Sequence, residues 1–242
     1  MIKEKIDNFF SLFKNYEKNF PSYSYINYNF ENIINFFERI GLNYNKLKYL
    51  HIAGTKGKGS TAYYLSSLLM NSTNQNIGLY TSPHIFKINE RIKVNFRDIT
   101  DEELISIIDK YYYYFVNSKL TYFDVLTIIS VIYFIEKSCE YVVFETGLGG
   151  RLDSTNFCSP IISIITPISY DHTKILGKNL KSIAFEKAGI IKNNIPVIIS
   201  KQPKVVLNVI KEKSEEKNAK LYELNKYLDK KILKRTLEGS YQ

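Results

Sequence analysis

The sequence predicts an α/β protein, in which a doubly wound and mostly parallel sheet carries helices on both faces. Short apolar runs rich in β-branched residues alternate with segments of helical periodicity between residues 49 and 200. The run at residues 141–145 is apolar without alternation up to its last residue, Glu145, as expected of a strand buried on both faces. A glycine-rich stretch, Gly54–Gly59, joins the first run to a helix. Strands that alternate with helices in this way are typical of a parallel sheet.

The composition is that of an ordinary folded protein. The 242 residues are 45% hydrophobic and 24% charged, which is enough for one α/β domain with a substantial buried core. The net charge of +9 favours anionic partners such as nucleotides. Because Lys and Arg are spread along the chain among Asp and Glu, we expect no nucleic-acid partner.

Membrane spans and targeting signals are not indicated. The first 13 residues mix charged side chains with apolar ones, and the longest apolar run, Val125–Ile135, is far below the roughly 20 residues that cross a bilayer. Cys139 and Cys158 have no metal-ligand spacing, and two cysteines in a chain of this length do not indicate a disulfide framework. We therefore expect a cytoplasmic protein without a membrane partner.

The elements are predicted from apolar periodicity. Residues 1–48 form a helical segment packed on the domain, with its aromatic stripe in the core. The predicted strands are residues 49–53, 77–81, 141–145, 161–166 and 196–200. The predicted helices are residues 60–70, 100–116, 122–137 and 205–217, and Thr100 with Glu103 forms a capping box at the second of them. Residues 82–96 have no clear period and are predicted to be a long irregular loop.

Residues with functional chemistry follow the predicted strands. Gly54 and Ser82 come directly after two of them, Glu145 is the last residue of a third, and the segment Thr166–His172 begins at the end of a fourth. Ligands of a doubly wound sheet bind at the carboxyl ends of its strands. We therefore expect these residues to converge on one binding site.

The glycine-rich stretch has the character of a phosphate-binding loop. Its small residues let backbone N–H groups approach an anion at the N-terminus of a helix. Lys58 is predicted to reach the outer phosphates and Ser60 to ligate Mg²⁺. The spacing differs from the common P-loop, because Gly59 separates Lys58 from Ser60. The residues predicted to bind the nucleotide are Gly54, Thr55, Lys56, Gly57, Lys58, Gly59, Ser60 and Thr61.

This loop resembles that of the Mur ligase superfamily, and its Gly-Lys-Gly-Ser order is similar to the folylpolyglutamate synthase branch rather than to the peptidoglycan ligases. Other family motifs follow in order between residues 50 and 192. They are Tyr80-Thr-Ser-Pro-His84, Glu90-Arg91, Leu120-Thr-Tyr-Phe-Asp124, Glu145-Thr-Gly-Leu-Gly-Gly-Arg-Leu-Asp153, Asp171-His172 and Glu186-Lys-Ala-Gly189. The resemblance implies the P-loop-type central domain of these ligases. It also implies an ATP-dependent reaction, in which a pterin-linked carboxylate is activated as an acyl phosphate and joined to L-glutamate.

The resemblance further implies roles for single residues. Ser60, Ser82 and Glu145 match ligands of the Mg²⁺ that accompanies ATP, and His172 matches a ligand of a second Mg²⁺. Lys187 matches a lysine that family members carry as a carbamate. The implied catalytic residues are Lys58, His172 and Lys187, and the implied substrate-binding residues are Pro83, His84, Phe123, Arg151 and Asp153.

Simpler interpretations of three of these residues stay open on the sequence alone. Glu145 is also compatible with a surface carboxylate at the end of a strand, and Lys187 with a surface lysine on a helix. Asp153 is equally compatible with a turn-forming residue.

The domain organisation and partners follow from the same resemblance. Residues 49–236 are expected to form the ATP-binding domain, and residues 237–242 to begin a linker to a C-terminal ligase domain that the chain lacks. The expected substrates are ATP, L-glutamate and either dihydropteroate or a reduced folate. A monomer is implied for the full-length family, and a truncated chain is expected to associate through its uncovered surface. Two alternatives are a non-catalytic nucleotide- or folate-binding remnant and a cell-wall peptide ligase; the Gly-Lys-Gly-Ser and Thr-Tyr-Phe-Asp segments disfavour the second.

Overall fold

The computed structural model of the chain describes residues 2–17, 21, 24, 28 and 30–227, together with the backbone of residues 234–236 and 239–241. The predicted linker at residues 237–242 lies outside the described residues, apart from that last stretch of backbone. The strands are β1 (Lys48–Ala53), β2 (Asn76–Tyr80), β3 (Ile92–Val94), β4 (Arg97–Asp98), β5 (Cys139–Glu145), β6 (Pro160–Ile165), β7 (Val197–Ile199), β8 (Leu221–Glu223), β9 (Lys234–Thr236) and β10 (Gly239–Tyr241). The α-helices are α1 (Ile2–Ser11), α2 (Glu31–Arg39), α3 (Lys58–Ser72), α4 (Asp101–Val116), α5 (Tyr122–Glu136), α6 (Thr173–Leu176), α7 (Leu180–Ala188) and α8 (Lys204–Glu216).

One sheet of eight strands organises the described part of the chain. Its order is β4-β3-β2-β5-β1-β6-β7-β8, and neighbouring strands are parallel from β2 through β8. Within this sheet, the pairs β2–β3 and β3–β4 are antiparallel. The prediction of a doubly wound, mostly parallel sheet is therefore confirmed.

The excursion at residues 82–96 is more ordered than its sequence suggested. It contains a short 3₁₀ helix, Ile88–Arg91, and the strand β3, which adds to the sheet beside β2. Asn95 and Phe96 then adopt positive φ values of 49° and 63°, which turn the chain into β4. A strand of three residues is too short to show a period, so the irregular loop predicted for this whole segment was wrong in its second half.

Helices cover both faces of the sheet. On one face, α5 is buried along nearly its whole length and packs with α1, α2 and α4 into the largest core cluster. On the other face, α3 packs over β1, β2 and β5, with Ala62 against Leu50, Leu79 and Val143. Helices α7 and α8 pack against β6 and β7 in a further cluster. The residues of β1 alternate between the two faces and enter all three clusters: Tyr49 the first, Leu50 and Ile52 the second, and Ala53 the third.

The carboxyl ends of four parallel strands meet at one edge of the sheet. Ile52 of β1 is in register with Glu145 of β5, and Ala53 is in register with Ile165 of β6. Tyr80 of β2 lies beside Phe144. The loops that follow these strands are thus neighbours, as the sequence predicted.

The N-terminal helices pack against the same domain. Phe9 of α1 and Phe36 of α2 both contact the ring of Phe115 in α4, with ring centroids 5.5 and 4.7 Å away. The backbone N–H of Tyr122 donates to the carbonyl of Lys14 at 3.0 Å. Within the described residues, no helix is both long enough and apolar enough to span a membrane.

Candidate functional site

The loop between β1 and α3 is closely packed on the segment after β6. Gly54 has φ 149°, and a Cβ there would lie 1.8 Å from the hydroxyl oxygen of Thr166, so no other residue fits. The N–H groups of Thr55 and Lys56 both donate to the carbonyl of Pro167. Gly57 then takes the left-handed conformation, with φ 80°, immediately before α3. These bonds hold the loop in one shape.

The N-terminus of α3 is left open for an anion. The first N–H groups of a helix have no partner within the helix. Among the described residues, no side chain caps this terminus. Lys56 and Gly57 are exposed, and Ser60 lies on the exposed side of the first turn. The partial positive charge of the helix start, together with Lys58, favours a phosphate group here.

Glu145 is a buried carboxylate beside this loop. Its Oε1 lies 3.9 Å from Lys58 Nζ, and its Oε2 accepts a hydrogen bond from Ser82 N at 3.1 Å. A Cβ on Gly59 would lie 3.4 Å from Glu145 Oε2, which places the carboxylate in contact with the first turn of α3. Burial raises the pKa of Glu145, and the charge of Lys58 opposes that rise. With its side chain 5% exposed, Glu145 is not the surface carboxylate that the sequence left open.

The donor set at this point fits a hard cation. The structure brings the Glu145 carboxylate next to the backbone of Ser82 and to Gly59, the neighbour of Ser60, and both serines carry a hydroxyl group. Among the described residues, no cluster of three or more His, Cys, Asp or Glu side chains could hold a metal by itself. Mg²⁺ is commonly bound by one or two carboxylates together with water and phosphate oxygens. The residues present therefore fit Mg²⁺ bound together with a phosphate ligand.

Lys187 lies directly beneath the loop. It is 2% exposed, and its Nζ donates a 2.7 Å hydrogen bond to the carbonyl of Gly54. Burial, followed by the charge of Lys58, lowers the pKa of Lys187 to about 8. The interpretation of Lys187 as a surface lysine was therefore wrong. A buried lysine is unusual, and one with a depressed pKa is available as a neutral amine near physiological pH.

His172 follows β6 and precedes the short helix α6. Its backbone is left-handed, with φ 45°, and its Nε2 lies 3.6 Å from Asp171 Oδ1. The side chain is 40% exposed and lines the same cavity as Lys58. His172 is therefore accessible to a ligand of that cavity.

A cavity of about 430 Å³ opens at this edge of the sheet. This is the size of an ordinary small-molecule site. It combines polar residues from the loops after the strands with aromatic residues from the N-terminal segment and α5. Its lining comprises Tyr16, Glu17, Tyr28, Thr55, Lys58, Ser82, Pro83, Thr121, Phe123, Asp124, Gly147, Leu148, Asp153, Ser154, Asp171 and His172.

Phe123 is fixed against the glycine-rich loop after β5. A Cβ on Gly147 would lie 2.6 Å from Phe123 Cζ, so the ring touches the backbone there. The ring centroid of Tyr80 lies 5.8 Å away. Pro83, which follows a cis peptide bond after Ser82, also lines the cavity. Phe123 and Pro83 therefore offer apolar surface to a planar ligand, while the buried Tyr80 supports Phe123 from behind.

Arg91 organises a part of the site that the sequence did not reveal. It is 1% exposed, and its Nη1 and Nη2 donate to the two carboxylate oxygens of Glu17 at 2.7 and 2.8 Å. Its Nε donates to His84 Nδ1 at 2.8 Å. Because a guanidinium only donates, the proton of neutral His84 is on Nε2. Burial and then the charge of Arg91 lower the pKa of His84. Glu17 is 74 residues away in the chain, so no local pattern could indicate this pair.

Asp153 and Arg151 occupy different surroundings. Asp153 is buried and lines the cavity, and its two oxygens accept from Thr155 N and Leu148 N. It also caps the 3₁₀ helix Ser154–Phe157. Arg151 forms two hydrogen bonds with Glu186, at 2.9 and 3.0 Å, and is not among the residues that line the cavity in the described part of the chain. Its role in substrate binding stays a prediction.

The fold and site define an α/β domain with an open helix N-terminus, a lysine and a buried carboxylate at the carboxyl edge of a parallel sheet. Residues 52–241 match the family model of the Mur ligase middle domain. The chain belongs to this family.

Similar proteins share the name folylpolyglutamate synthase. A Saccharomyces cerevisiae enzyme of that name is 38% identical over 217 residues, which is 82% of this chain and 40% of the relative. The apo form of the L. casei enzyme superposes with a TM-score of 0.82 at 29% identity, over 92% of this chain and 53% of that chain. A folylpolyglutamate synthase–AMPPCP–folate complex superposes with a TM-score of 0.78 at 28% identity, over the same shares. The resemblance predicted from the motifs is confirmed, and the chain spans about half the length of these proteins or less.

Proposed function

We propose that this chain is the ATP-binding part of a ligase that joins L-glutamate to a folate-type carboxylate through an acyl phosphate. The observation that carries the proposal is the open N-terminus of α3 with Lys58 and Glu145 beside it. Its similarity to folylpolyglutamate synthases, including a complex with AMPPCP and folate, supports this choice of nucleotide and substrate.

In this proposal, the loop binds the phosphates of ATP. The backbone N–H groups at the start of α3 donate to phosphate oxygens, and Lys58 neutralises the outer phosphate charge. Ser60, Ser82 and Glu145 would hold Mg²⁺, which supplies further positive charge near the transferred phosphate. Glu145 is then needed as an ionised carboxylate, and the nearby ammonium of Lys58 supports that state.

Lys187 and His172 are proposed to serve a second Mg²⁺. The neutral amine of Lys187 would attack CO₂ and lose one proton, which gives a carbamate with one negative charge. The lowered pKa of Lys187 favours this chemistry, since only the unprotonated amine reacts. An ammonium beneath the loop would thereby become a carboxylate-like metal ligand.

The aromatic lining of the cavity is proposed to hold the ring of the substrate. Phe123 and Tyr16 offer flat apolar faces, and Pro83 adds a third apolar surface. Dihydropteroate and reduced folates both carry a pterin ring, so either substrate would fit this aromatic lining. We also propose that residues 49–236 form the ATP-binding domain and that residues 1–48 pack on it as a helical segment.

The direct test is ADP formation by the purified chain. ADP release should require MgATP, L-glutamate and either dihydropteroate or tetrahydrofolate, in bicarbonate buffer. ATP binding without substrate-dependent ADP release would contradict catalysis by this chain and favour a binding role. ¹³C-labelled bicarbonate gives a separate test: a carbamate carbonyl signal should disappear in Lys187→Ala and persist in Lys181→Ala, which changes an exposed lysine on the same helix.

A further inference from the structure

A chain of hydrogen bonds connects the centre of the sheet with the cavity. His51 stands in the middle of β1 and is fully buried. Its Nε2 lies 2.7 Å from the hydroxyl oxygen of Thr155. That hydroxyl donates to Asp153 Oδ1 at 2.6 Å. The imidazole has no place in the chemistry proposed above, so its burial needs a separate reason.

The direction of these bonds follows from counting protons. Asp153 accepts backbone hydrogen bonds through both oxygens, from Thr155 N at 3.0 Å and from Leu148 N at 2.8 Å. The single hydroxyl proton of Thr155 points to this carboxylate, so the hydroxyl oxygen accepts from His51. His51 is therefore the tautomer protonated on Nε2. Burial lowers the pKa of His51 to about 3, which keeps the ring neutral.

The other ring nitrogen indicates why a histidine stands at this position. Nδ1 of His51 is buried and has no hydrogen-bond partner among the described residues. Burying an unpaired acceptor costs free energy that an apolar side chain would avoid. If residue 51 served only to fill space in the core, an apolar side chain would do so without a buried, unpaired nitrogen. The histidine is therefore explained by the bond that its Nε2 donates.

The chain ends at the loop that shapes the cavity. Asp153 binds Leu148 N, and both residues line the cavity together with Gly147. Gly147 in turn touches the ring of Phe123. The orientation of the Asp153 carboxylate thus sets the position of the loop and, through it, of the ring.

We propose that His51 is a positioning residue for the aromatic part of the cavity: by donating to Thr155 it orients Asp153 and fixes the loop against which Phe123 packs. A hydroxyl that accepts one hydrogen bond donates a stronger one, so the two bonds reinforce each other. The inference rests on the proposed function in one respect: the ligand of this part of the cavity is a folate-type ring.

The test compares two substitutions at one position. His51→Leu keeps apolar bulk and removes the donor, whereas His51→Gln places an amide nitrogen near the position of Nε2. Affinities for folate and for MgAMPPCP are measured by titration calorimetry on variants that melt cooperatively. We expect His51→Leu to weaken folate binding at least about tenfold and His51→Gln to restore most of it, while MgAMPPCP binding stays unchanged. Unchanged folate binding by His51→Leu, or equal loss for both ligands, would overturn the inference.

A second measurement does not depend on folate. In ¹⁵N spectra, the backbone amide signals of Gly147 and Leu148 should shift in His51→Leu and return towards wild type in His51→Gln. The imidazole of His51 should show a protonated Nε2 and a bare Nδ1 across neutral pH. If the wild type does not bind folate, the proposed function is contradicted and the positioning role is not. If the loop amides do not shift, or if His51 is the opposite tautomer, the positioning role is refuted.

Discussion

Lys187 donates a 2.7 Å hydrogen bond from its buried ammonium to the carbonyl of Gly54. The bond joins α7 to the first residue of the glycine-rich loop, across 133 positions of the chain. No carboxylate forms an ion pair with Lys187 among the described residues. A cation held in this way costs stability, and its position beneath the loop is the reason to keep it.

The pH dependence of stability should reveal that cost. The folded pKa of Lys187 is lowered from 10.5 to about 8, so the unfolded chain binds more protons between these values. The cost, on the order of 3 kcal/mol, is fully present below about pH 8 and is relieved as pH rises towards 10.5. Relative to Lys187→Met, the wild type should therefore gain stability over this window.

Urea unfolding in bicarbonate-free buffer measures this difference. Lys181→Met changes an exposed lysine of the same helix and should follow the wild type at every pH. A constant difference between wild type and Lys187→Met from about pH 7.5 to about pH 10 would show that the pKa of Lys187 is not depressed.

Two glycines of the loop should tolerate alanine very differently. At Gly57 the left-handed φ costs about 1–2 kcal/mol, and a Cβ meets no atom within 4 Å. At Gly54 a Cβ would lie 1.8 Å from Thr166 Oγ1, and such an overlap adds about 1–3 kcal/mol or displaces the loop. Chemical denaturation of both variants should rank Gly54→Ala as the less stable. Equal losses would contradict the packing of the loop on Thr166.

Replacing Arg91 by lysine should loosen the N-terminal segment. A lysine cannot reproduce the paired bonds to Glu17 together with the bond to His84. Because the Glu17 side chain is 36% exposed, we expect Arg91→Lys to lower the free energy of unfolding by about 2 kcal/mol, which is less than the loss expected on breaking a fully buried ion pair.

The pKa of His84 provides a second readout of the same change. Loss of the Arg91 bond to Nδ1 frees that nitrogen to take a proton, so the pKa of His84 should rise in a histidine NMR titration. Arg39→Lys is the matched control, since Arg39 is exposed and bonds to a backbone carbonyl and Ser118. An unchanged pKa of His84 in Arg91→Lys would contradict the assigned hydrogen bond.

Enlarging Gly147 should act on the aromatic part of the cavity alone. A methyl group there would meet the Phe123 ring at 2.6 Å and push it from its place. We expect Gly147→Ala to weaken folate binding about tenfold or more and to leave MgAMPPCP binding intact. Calorimetric titration with each ligand measures both affinities. A selective loss of MgAMPPCP affinity would contradict the assignment of Gly147 and Phe123 to the folate-binding part of the cavity.

Local patterns explain which parts of the fold and site the sequence could predict. The strand, loop and helix unit of β1 and α3 has its own periodicity and glycines, and parallel strands bring Glu145 and Ser82 to the same edge. The short strands β3 and β8 have three residues each and, unlike β7, which lies in the apolar run at residues 196–200, have no longer apolar run around them. The Arg91–Glu17 pair, the burial of Lys187 and the His51–Thr155 bond join distant residues. Tertiary packing creates such contacts, so they leave no local signal.

Binding of AMPPCP to the purified chain tests the central claim most directly. Titration calorimetry with and without Mg²⁺ should show binding that requires the metal and is abolished or strongly weakened in Lys58→Ala. Lys46→Ala, an exposed lysine before β1, should bind as the wild type does. Full affinity in Lys58→Ala, or no binding by the folded wild type with Mg²⁺ present, would contradict a nucleotide site at the start of α3.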